Sequence, residues 1–228
     1  MHDVTYPVML FAAGFGTRMG ALTANRPKPL IEVAGRALID HALDLVAAYD
    51  PPRTVVNLHY LPDQITAHLA GRGIAFSHET PEILETGGGL RAALPLLGAG
   101  PVFTMNTDAV WRGPNPLCLL SGAWRPDEMD ALLLCIPADR AVGHSGAGDF
   151  RIAADGRAAR GPGLIYSGVQ IIKPALLHEI EHRSFSINVL WDRMLAAGRL
   201  SAMAYPGQWC DVGRPEGIRA AEAMLRDV

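Results

Sequence analysis

Two glycines, an arginine and a lysine near the N-terminus have the types and spacing of a phosphate-binding site. Gly14 and Gly16 follow a short apolar run. Glycine has no Cβ, so it permits positive φ and lets backbone N–H groups approach an anion. Arg18 adds a planar cation, and Lys28, between two prolines, adds a compact charge on a stiff, non-helical segment. These residues predict a phosphate-binding loop, with an ordinary strand-to-helix turn as the alternative.

Two aspartates stand where a hard cation could bind. Asp108 follows the apolar segment 102–105, and ligands bind at the carboxyl ends of parallel strands in α/β sheets. Asp211 lies beside another strand pattern and is followed by a glycine two residues later. Mg²⁺ is usually held by one or two carboxylates together with substrate phosphates, so two aspartates would suffice. Taken singly, each aspartate also suits a helix cap or a turn.

Three consecutive glycines, Gly87, Gly88 and Gly89, precede a helix that the sequence predicts to start near Gly89. Glycine is costly at such a position unless something must approach the backbone. A nucleotide base or ribose would fit the opening, where the first N–H groups of the helix are unpaired. A flexible loop that merely needs glycine is the alternative.

Polar residues in the C-terminal half are candidates for contacts with a sugar. Asp149 could accept hydrogen bonds from hydroxyl groups, and Gly168 would allow close approach to the backbone. A solvated hairpin position is the alternative for Asp149. Trp111, Trp124 and Trp191 are expected to serve packing.

Strand and helix patterns alternate along the chain. Apolar runs predict strands at residues 7–13, 54–58, 74–77, 102–105, 131–135, 149–152, 164–171 and 200–205. Helical spacing predicts helices at residues 38–49, 62–69, from about 89, 174–181, 188–197 and 214–226. We expect a doubly wound, Rossmann-like mixed α/β sheet flanked by helices. A turn at Asp155-Gly156 predicts a small hairpin or mixed-sheet extension after about residue 138.

Composition excludes several classes of protein. The 228 residues are 49% hydrophobic, which favours one domain over residues 1–228. The net charge of -3 gives no broad attraction to nucleic acid or to an anionic membrane. Three widely spaced cysteines predict neither disulfides nor a zinc site, and favour reduced thiols in the cytoplasm. The start Met1-His2-Asp3, with only a short apolar run after it, predicts no signal peptide and no membrane span.

Several strings resemble one enzyme family. Ala-Ala-Gly-x-Gly-Thr-Arg-Met at residues 12–19, with Pro-Lys-Pro-Leu at 27–30, resembles the signature of the sugar-phosphate nucleotidyltransferases, or sugar-nucleotide pyrophosphorylases. A dinucleotide fingerprint would need a third glycine, and a Walker loop would need Gly-Lys-Ser/Thr. Leu-Glu-Thr-Gly-Gly-Gly at 84–89 resembles the segment of uridylyltransferases related to N-acetylmuramic acid 1-phosphate uridylyltransferase. Asn-x-Asp at 106–108 and Trp-x-Asp-Val-Gly at 209–213 match the family's paired metal ligands.

The resemblance implies roles for individual residues. Arg18 and Lys28 would be catalytic, and Asp108 and Asp211 would hold Mg²⁺ as the cofactor. The implied nucleotide-binding residues are Ala12, Ala13, Gly14, Gly16, Thr17, Arg18, Glu82, Thr86 and Gly87. The implied sugar-binding residues are Asn106, Asp149, Gly168 and Asn188. The nucleotide part would cover residues of about 1–137, and the sugar part about 138–228.

The implied activity is Mg²⁺-dependent condensation of a nucleoside triphosphate with a sugar 1-phosphate, which gives a nucleotide sugar and pyrophosphate. UTP and N-acetylmuramic acid 1-phosphate are the first expectation, with a role in recycling cell-wall peptidoglycan. A guanylyl- or thymidylyltransferase for another hexose 1-phosphate is the alternative. A non-catalytic nucleotide-sensing subunit is a rival from another class, and a protein that only binds would have less use for both aspartates. We expect a monomer or small homo-oligomer.

Overall fold

The computed structural model of the protein describes residues 4–226. Met1, His2 and Asp3, on which the prediction that there is no signal peptide partly rests, lie outside the described residues. The strands are, in chain order, β1 Val8–Phe11, β2 Glu32–Val33, β3 Arg36–Ala37, β4 Thr54–Leu58, β5 Ala75–His78, β6 Val102–Asn106, β7 Ala109–Arg112, β8 Ala131–Ile136, β9 Ala141–Val142, β10 Phe150–Ile152, β11 Ala158–Arg160, β12 Ile165–Ile172, β13 Leu200–Ala204 and β14 Gln208–Asp211. The α-helices are α1 Leu38–Tyr49, α2 Pro62–His68, α3 Glu85–Leu97, α4 Pro116–Ala123, α5 Asn188–Ala196 and α6 Pro215–Arg226. Short 3₁₀ helices cover Thr17–Thr23, Lys28–Leu30, Ala138–Arg140 and Ala175–Glu179.

Seven strands form one sheet in the order β13-β8-β12-β6-β1-β4-β5. Neighbouring strands are parallel except at β12, which is antiparallel to both β6 and β8. The expected mixed, Rossmann-like α/β architecture is therefore confirmed. Among residues 4–226, the structure contains no helix long and apolar enough to cross a membrane.

Helices cover both faces of this sheet, which explains its continuous apolar strands. Val8 and Leu10 of β1 pack into the core under α1 and α4, while Met9 between them packs into the core under α3 and α5. This alternation follows from the pleat, which points successive side chains to opposite faces. All six residues of β8 are buried, as expected for a strand covered on both sides.

Three expectations about the elements are wrong. Helix α3 begins at Glu85, so the three glycines lie within its first turns and not before it. The strand expected at 164–171 belongs to the central sheet, and the hairpin partner of β10 is β11. The helix expected at 174–181 is shorter, a 3₁₀ helix over Ala175–Glu179, although Leu177 and Ile180 are buried.

A second sheet, absent from the sequence prediction, packs beside the first. It contains β7, β14 and β9, and β14 is antiparallel to β7. Its register places Asp211 opposite Ala109, the residue that follows Asp108. The segments that contain Asp108 and Asp211, which are distant in sequence, are thereby brought next to each other.

Candidate active site

A cavity of about 310 Å³ opens at the carboxyl ends of the parallel strands β1, β4 and β6. This is where ligands bind in open α/β sheets. The residues of its wall are Phe11, Ala12, Ala13, Gly14, Gly16, Thr17, Arg18, Lys28, Pro29, Asn57, Glu79, Ile83, Glu85, Thr86, Asn106, Thr107, Asp108 and Gly213. Most of the residues expected from sequence to meet a nucleotide share this wall, whereas Glu82 and Gly87 do not.

The glycine loop after β1 positions Lys28. Gly16 has a φ of +65°, and a Cβ there would lie 2.9 Å from the Cβ of Lys28 and 3.0 Å from Cγ2 of Thr23. Gly14 has no atom within 4 Å of its Cβ position and faces open space. Gly16 is thus required by packing against Lys28, while Gly14 keeps the backbone open to the cavity.

Lys28 and Asp108 form an ion pair in this wall. Lys28 Nζ lies 2.6 Å from Oδ2 of Asp108, and only 8% of Lys28 is exposed. The lysine begins a single 3₁₀ turn after Pro27, and does not lie in the non-helical segment that the prolines suggested. A buried ammonium group beside one carboxylate is placed to meet further negative charge from the cavity.

Asp211 lies next to this pair. The backbone N–H of Val212 donates to the carbonyl oxygen of Asp108 at 2.8 Å, which joins the two segments. Burial, and secondly the charge of Asp108, raise the pKa of the Asp211 carboxyl, while Lys28 and Arg18 act in the opposite direction. Two carboxylates whose charges repel each other suit a hard divalent cation.

The donor set available for such a cation is small. No group of three or more His, Cys, Asp and Glu side chains with a metal-binding arrangement occurs within residues 4–226. Asp108 and Asp211 together fit Mg²⁺, which commonly takes one or two protein carboxylates and completes its shell with water and substrate phosphate.

Arg18 lies in the 3₁₀ helix that follows the glycine loop, and its side chain extends toward Asp211. A Cβ on Gly213 would lie 3.1 Å from Nη1 of Arg18 and 2.8 Å from Oδ2 of Asp211. Gly213 therefore makes room for both charged groups. Arg18 lines the cavity and adds positive charge to its wall.

A buried polar network ties the glycine loop to two other strands. Asn57 Oδ1 accepts a hydrogen bond from the N–H of Ala12 at 2.7 Å, and its Nδ2 donates to Oε1 of Glu79 at 2.6 Å. Glu79 Oε2 accepts from the N–H of Leu84 at 2.7 Å. Asn57 and Glu79 are 3% and 2% exposed, yet both line the cavity. Satisfied buried networks of this kind hold backbone segments in one arrangement.

The space beside the glycines of α3 is filled by other residues of the protein, whereas the sequence suggested an opening for a ligand there. A Cβ on Gly87 would lie 2.4 Å from a ring carbon of Phe185, and one on Gly89 would lie 2.5 Å from Oε1 of Glu79. Thr86 faces the cavity, and its Oγ1 accepts a hydrogen bond from the N–H of Ile187 at 2.9 Å.

A second cavity, also of about 310 Å³, shares Phe11, Thr86 and Asn106 with the first. Its wall consists of Phe11, Thr86, Asn106, Asp149, Phe150, Arg160, Tyr166, Gln170, Ser186, Ile187, Asn188 and Trp191. Asp149, Asn106 and Asn188, three of the residues expected to contact a sugar, therefore share one wall. Gly168 lies behind this wall, where a Cβ would be 2.7 Å from Nδ2 of Asn106.

Sequence reasoning missed several residues of the two walls. Asn57 could have been noticed as the only amide within the apolar strand β4, but the burial of Glu79 has no local signal. Trp191 is buried as expected, and its indole N–H also donates to Oε1 of Gln170 at 2.8 Å within the second cavity. Arg160 lies on the hairpin strand that the sequence did not reveal.

The sequence profile of the MobA-like NTP transferase domain family matches residues 8–205. The chain belongs to the MobA-like NTP transferase family. N-acetylmuramate alpha-1-phosphate uridylyltransferase of Caulobacter vibrioides is 41% identical over 96% of this chain and 96% of that protein. The protein of the same name from Neisseria meningitidis serogroup B is 33% identical over 95% of this chain and 96% of that protein.

Solved structures agree on the fold of this MobA-like transferase. A crystal structure of HddC from Yersinia pseudotuberculosis, complexed with GMP-PN, has a TM-score of 0.78 over 97% of this chain and 100% of that chain. Sequence identity is 21%, so this likeness concerns the fold alone. Together with the two relatives, the family match makes the protein a sugar-phosphate nucleotidyltransferase, as the sequence motifs predicted.

Proposed function

We propose that the protein transfers the uridylyl group of UTP to N-acetylmuramic acid 1-phosphate, with Mg²⁺ as cofactor. The observation that carries the proposal is the pair of cavities that meet at Phe11, Thr86 and Asn106. One cavity holds the glycine loop with Arg18, Lys28 and Asp108, and the other holds amide, carboxylate, guanidinium and aromatic groups suited to a sugar. The two uridylyltransferase relatives, which match this chain over nearly their whole length, support the choice of substrates.

The proposed reaction is a single in-line displacement. A phosphate oxygen of the sugar 1-phosphate forms a bond to the α-phosphorus of UTP, and the bond from that phosphorus to the oxygen bridging to the β-phosphate breaks. Pyrophosphate leaves with the electron pair, and no covalent enzyme intermediate forms. Catalysis then consists mainly of positioning and charge stabilisation.

Arg18 and Lys28 would supply most of the protein's positive charge to this step. Arg18, which is exposed and lines the first cavity, is proposed to bind the triphosphate and to stabilise charge on the departing pyrophosphate. Lys28, which is buried in the same wall, is proposed to contact the α-phosphate and the sugar phosphate. Its pairing with Asp108 holds the ammonium group in place before substrates arrive.

Asp108 and Asp211 are the proposed ligands of Mg²⁺. When bound, this cation would neutralise phosphate charge and orient the two substrates. The two carboxylates would hold it beside Lys28, because the N–H of Val212, which follows β14, donates to the carbonyl oxygen of Asp108 and joins the two segments. We also propose that one domain carries both cavities and that the enzyme acts in the cytoplasm.

The other residues expected from sequence to bind the nucleotide are proposed to contact it in the first cavity. Ala12, Ala13, Gly14 and Thr17 line the first cavity and would meet the nucleotide, with Thr86 at the boundary. Glu82 pairs instead with Arg183 at 3.5 Å, so any role in base recognition would require it to leave that exposed ion pair.

Pyrophosphate release tests the proposal. Each of UTP, GTP and dTTP is combined with N-acetylmuramic acid, glucose and mannose 1-phosphates, with and without Mg²⁺, and kcat/KM is measured. The highest value is expected for UTP with N-acetylmuramic acid 1-phosphate, and loss of activity is expected in Asp108→Asn. A higher value for a GTP or dTTP pair would favour the alternative transferases. Nucleotide binding without pyrophosphate release from any pair would favour a sensing subunit.

A further inference from the structure

We propose that Arg160 recognises the lactyl carboxylate of N-acetylmuramic acid 1-phosphate and thereby selects this sugar over N-acetylglucosamine 1-phosphate. The inference rests on the proposed function, which it deepens. The two sugars differ only in the lactyl ether of muramic acid, which carries a carboxylate. A cationic group in the sugar cavity would distinguish them, because it would form a charge-assisted hydrogen bond with this carboxylate alone.

Arg160 is the cationic side chain in the wall of the second cavity, as far as residues 4–226 define that wall. It lies at the end of β11, in the separate two-stranded hairpin of β10 and β11. The cavity also contains one carboxylate, Asp149, but its Oδ2 already accepts a hydrogen bond from the N–H of Tyr166 at 2.8 Å. An incoming carboxylate would therefore be drawn to the Arg160 side of the wall.

The guanidinium group is held in a defined place. Its Nε and Nη2 donate to Oδ1 of Asp192 at 3.0 and 2.7 Å, and Nη2 also donates to Oδ1 of Asn188 at 3.0 Å. Its Cζ lies 5.5 Å from the ring centre of Phe150 and 5.9 Å from that of Trp191. Both rings are buried, so they form a rigid platform for the cation.

One edge of the guanidinium group is left for a ligand. The hydrogen bonds of Arg160 to described residues use Nε and Nη2, and none uses Nη1. The Asp192 side chain is 63% exposed, so water screens its charge and it neutralises Arg160 only in part. A substrate carboxylate can accept from Nη1 without breaking the existing contacts, and charge-assisted bonds of this kind are strong.

The test compares kcat/KM for two uridylyl acceptors, N-acetylmuramic acid 1-phosphate and N-acetylglucosamine 1-phosphate, each with UTP and Mg²⁺. In Arg160→Ala, we expect a fall of about 10- to 100-fold for the muramic acid substrate and little change for the glucosamine substrate, because only the former loses a charged partner. Arg160→Lys keeps the charge but loses the planar fork, and should fall in between.

Arg157→Ala is the matched control. Arg157 stands on the same hairpin and also pairs with an exposed aspartate, Asp155, at 3.5 Å, but it does not line the cavity. This variant should keep the wild-type preference. Calorimetric titration with N-acetylmuramic acid 1-phosphate and no UTP gives a second readout, in which Arg160→Ala should bind more weakly and Arg157→Ala should bind as the wild type does.

The outcomes separate this inference from the proposed function. A wild-type enzyme that does not use N-acetylmuramic acid 1-phosphate overturns both. An active wild type, with Arg160→Ala losing both sugars equally or neither, overturns the role of Arg160 alone. Thermal unfolding of each variant identifies any loss of activity that comes from misfolding. If Arg160→Ala does not fold, the ratio of kcat/KM for the two sugars in Arg160→Lys decides the role of Arg160.

Discussion

Replacing Gly168 by alanine should damage the wall between the two cavities. Gly168 has a φ of +84°, and it lies in β12 where the pairing with β8 shifts register. A Cβ there would lie 2.7 Å from Nδ2, 2.8 Å from Cγ and 2.9 Å from Cβ of Asn106. Asn106 would have to move, and it lines both cavities.

Gly156 allows the two costs of this substitution to be separated. It has the same φ of +84°, in the turn of the β10–β11 hairpin, and its Cβ position has no atom within 4 Å. Gly156→Ala therefore measures backbone strain alone, of about 1–2 kcal/mol. Gly168→Ala adds overpacking against Asn106, of about 1–3 kcal/mol, so its expected total is roughly 2–5 kcal/mol.

Urea unfolding and steady-state kinetics of the two variants test this reasoning. Gly168→Ala should be less stable than Gly156→Ala, and its midpoint of thermal unfolding should be lower by about 2–4 °C for each kcal/mol of difference. Only Gly168→Ala should also raise KM for the sugar 1-phosphate. Equal loss of stability in both variants, with wild-type kinetics in Gly168→Ala, would refute the proposed contact with Asn106.

Three further predictions concern charge and packing. Lys28→Ala should lower kcat by about 10²–10³-fold, since it removes a charge that stabilises the transition state, and an unchanged kcat would exclude Lys28 from the mechanism. The pKa of Asp211 is raised, so the native carboxyl holds its proton more tightly than the unfolded one, and stability should fall as pH rises above the ordinary value of 3.8. Asp211→Asn should flatten this fall in a series of thermal melts and abolish stabilisation by Mg²⁺; an unchanged pH profile would contradict the assignment. Gly87→Ala should cost about 1–3 kcal/mol in urea unfolding through contact with Phe185, and an unchanged midpoint would show that the ring moves freely.

Local sequence patterns predicted the parts of the site that lie within a few residues of one strand. The apolar run before Gly14, the glycines, and the position of Asp108 after β6 are all short-range features, and the order of strands and helices fixes which ends meet. Asp211 could be named from its motif, but its partner strand β7 could not, because antiparallel pairing across many residues leaves no periodic signal.

Other features depend on contacts that only the folded chain makes. The glycines of α3 suggested an opening for a ligand, yet Phe185, Arg183 and Glu79 occupy the space beside them. The hairpin strand that carries Arg160 is three residues long, too short for a clear alternation of polar and apolar side chains. The role proposed for Arg160 depends on its packing against Phe150 and Trp191, which lie far apart from each other in sequence.

The central claim is that UTP and N-acetylmuramic acid 1-phosphate are the substrates. One incubation with equal concentrations of UTP, GTP, dTTP, ATP and CTP, this sugar phosphate and Mg²⁺, followed by mass spectrometry, tests it most directly. We predict UDP-N-acetylmuramic acid as the main product, with an equal amount of pyrophosphate. A GDP or dTDP sugar as the main product, or no nucleotide sugar at all, would contradict it.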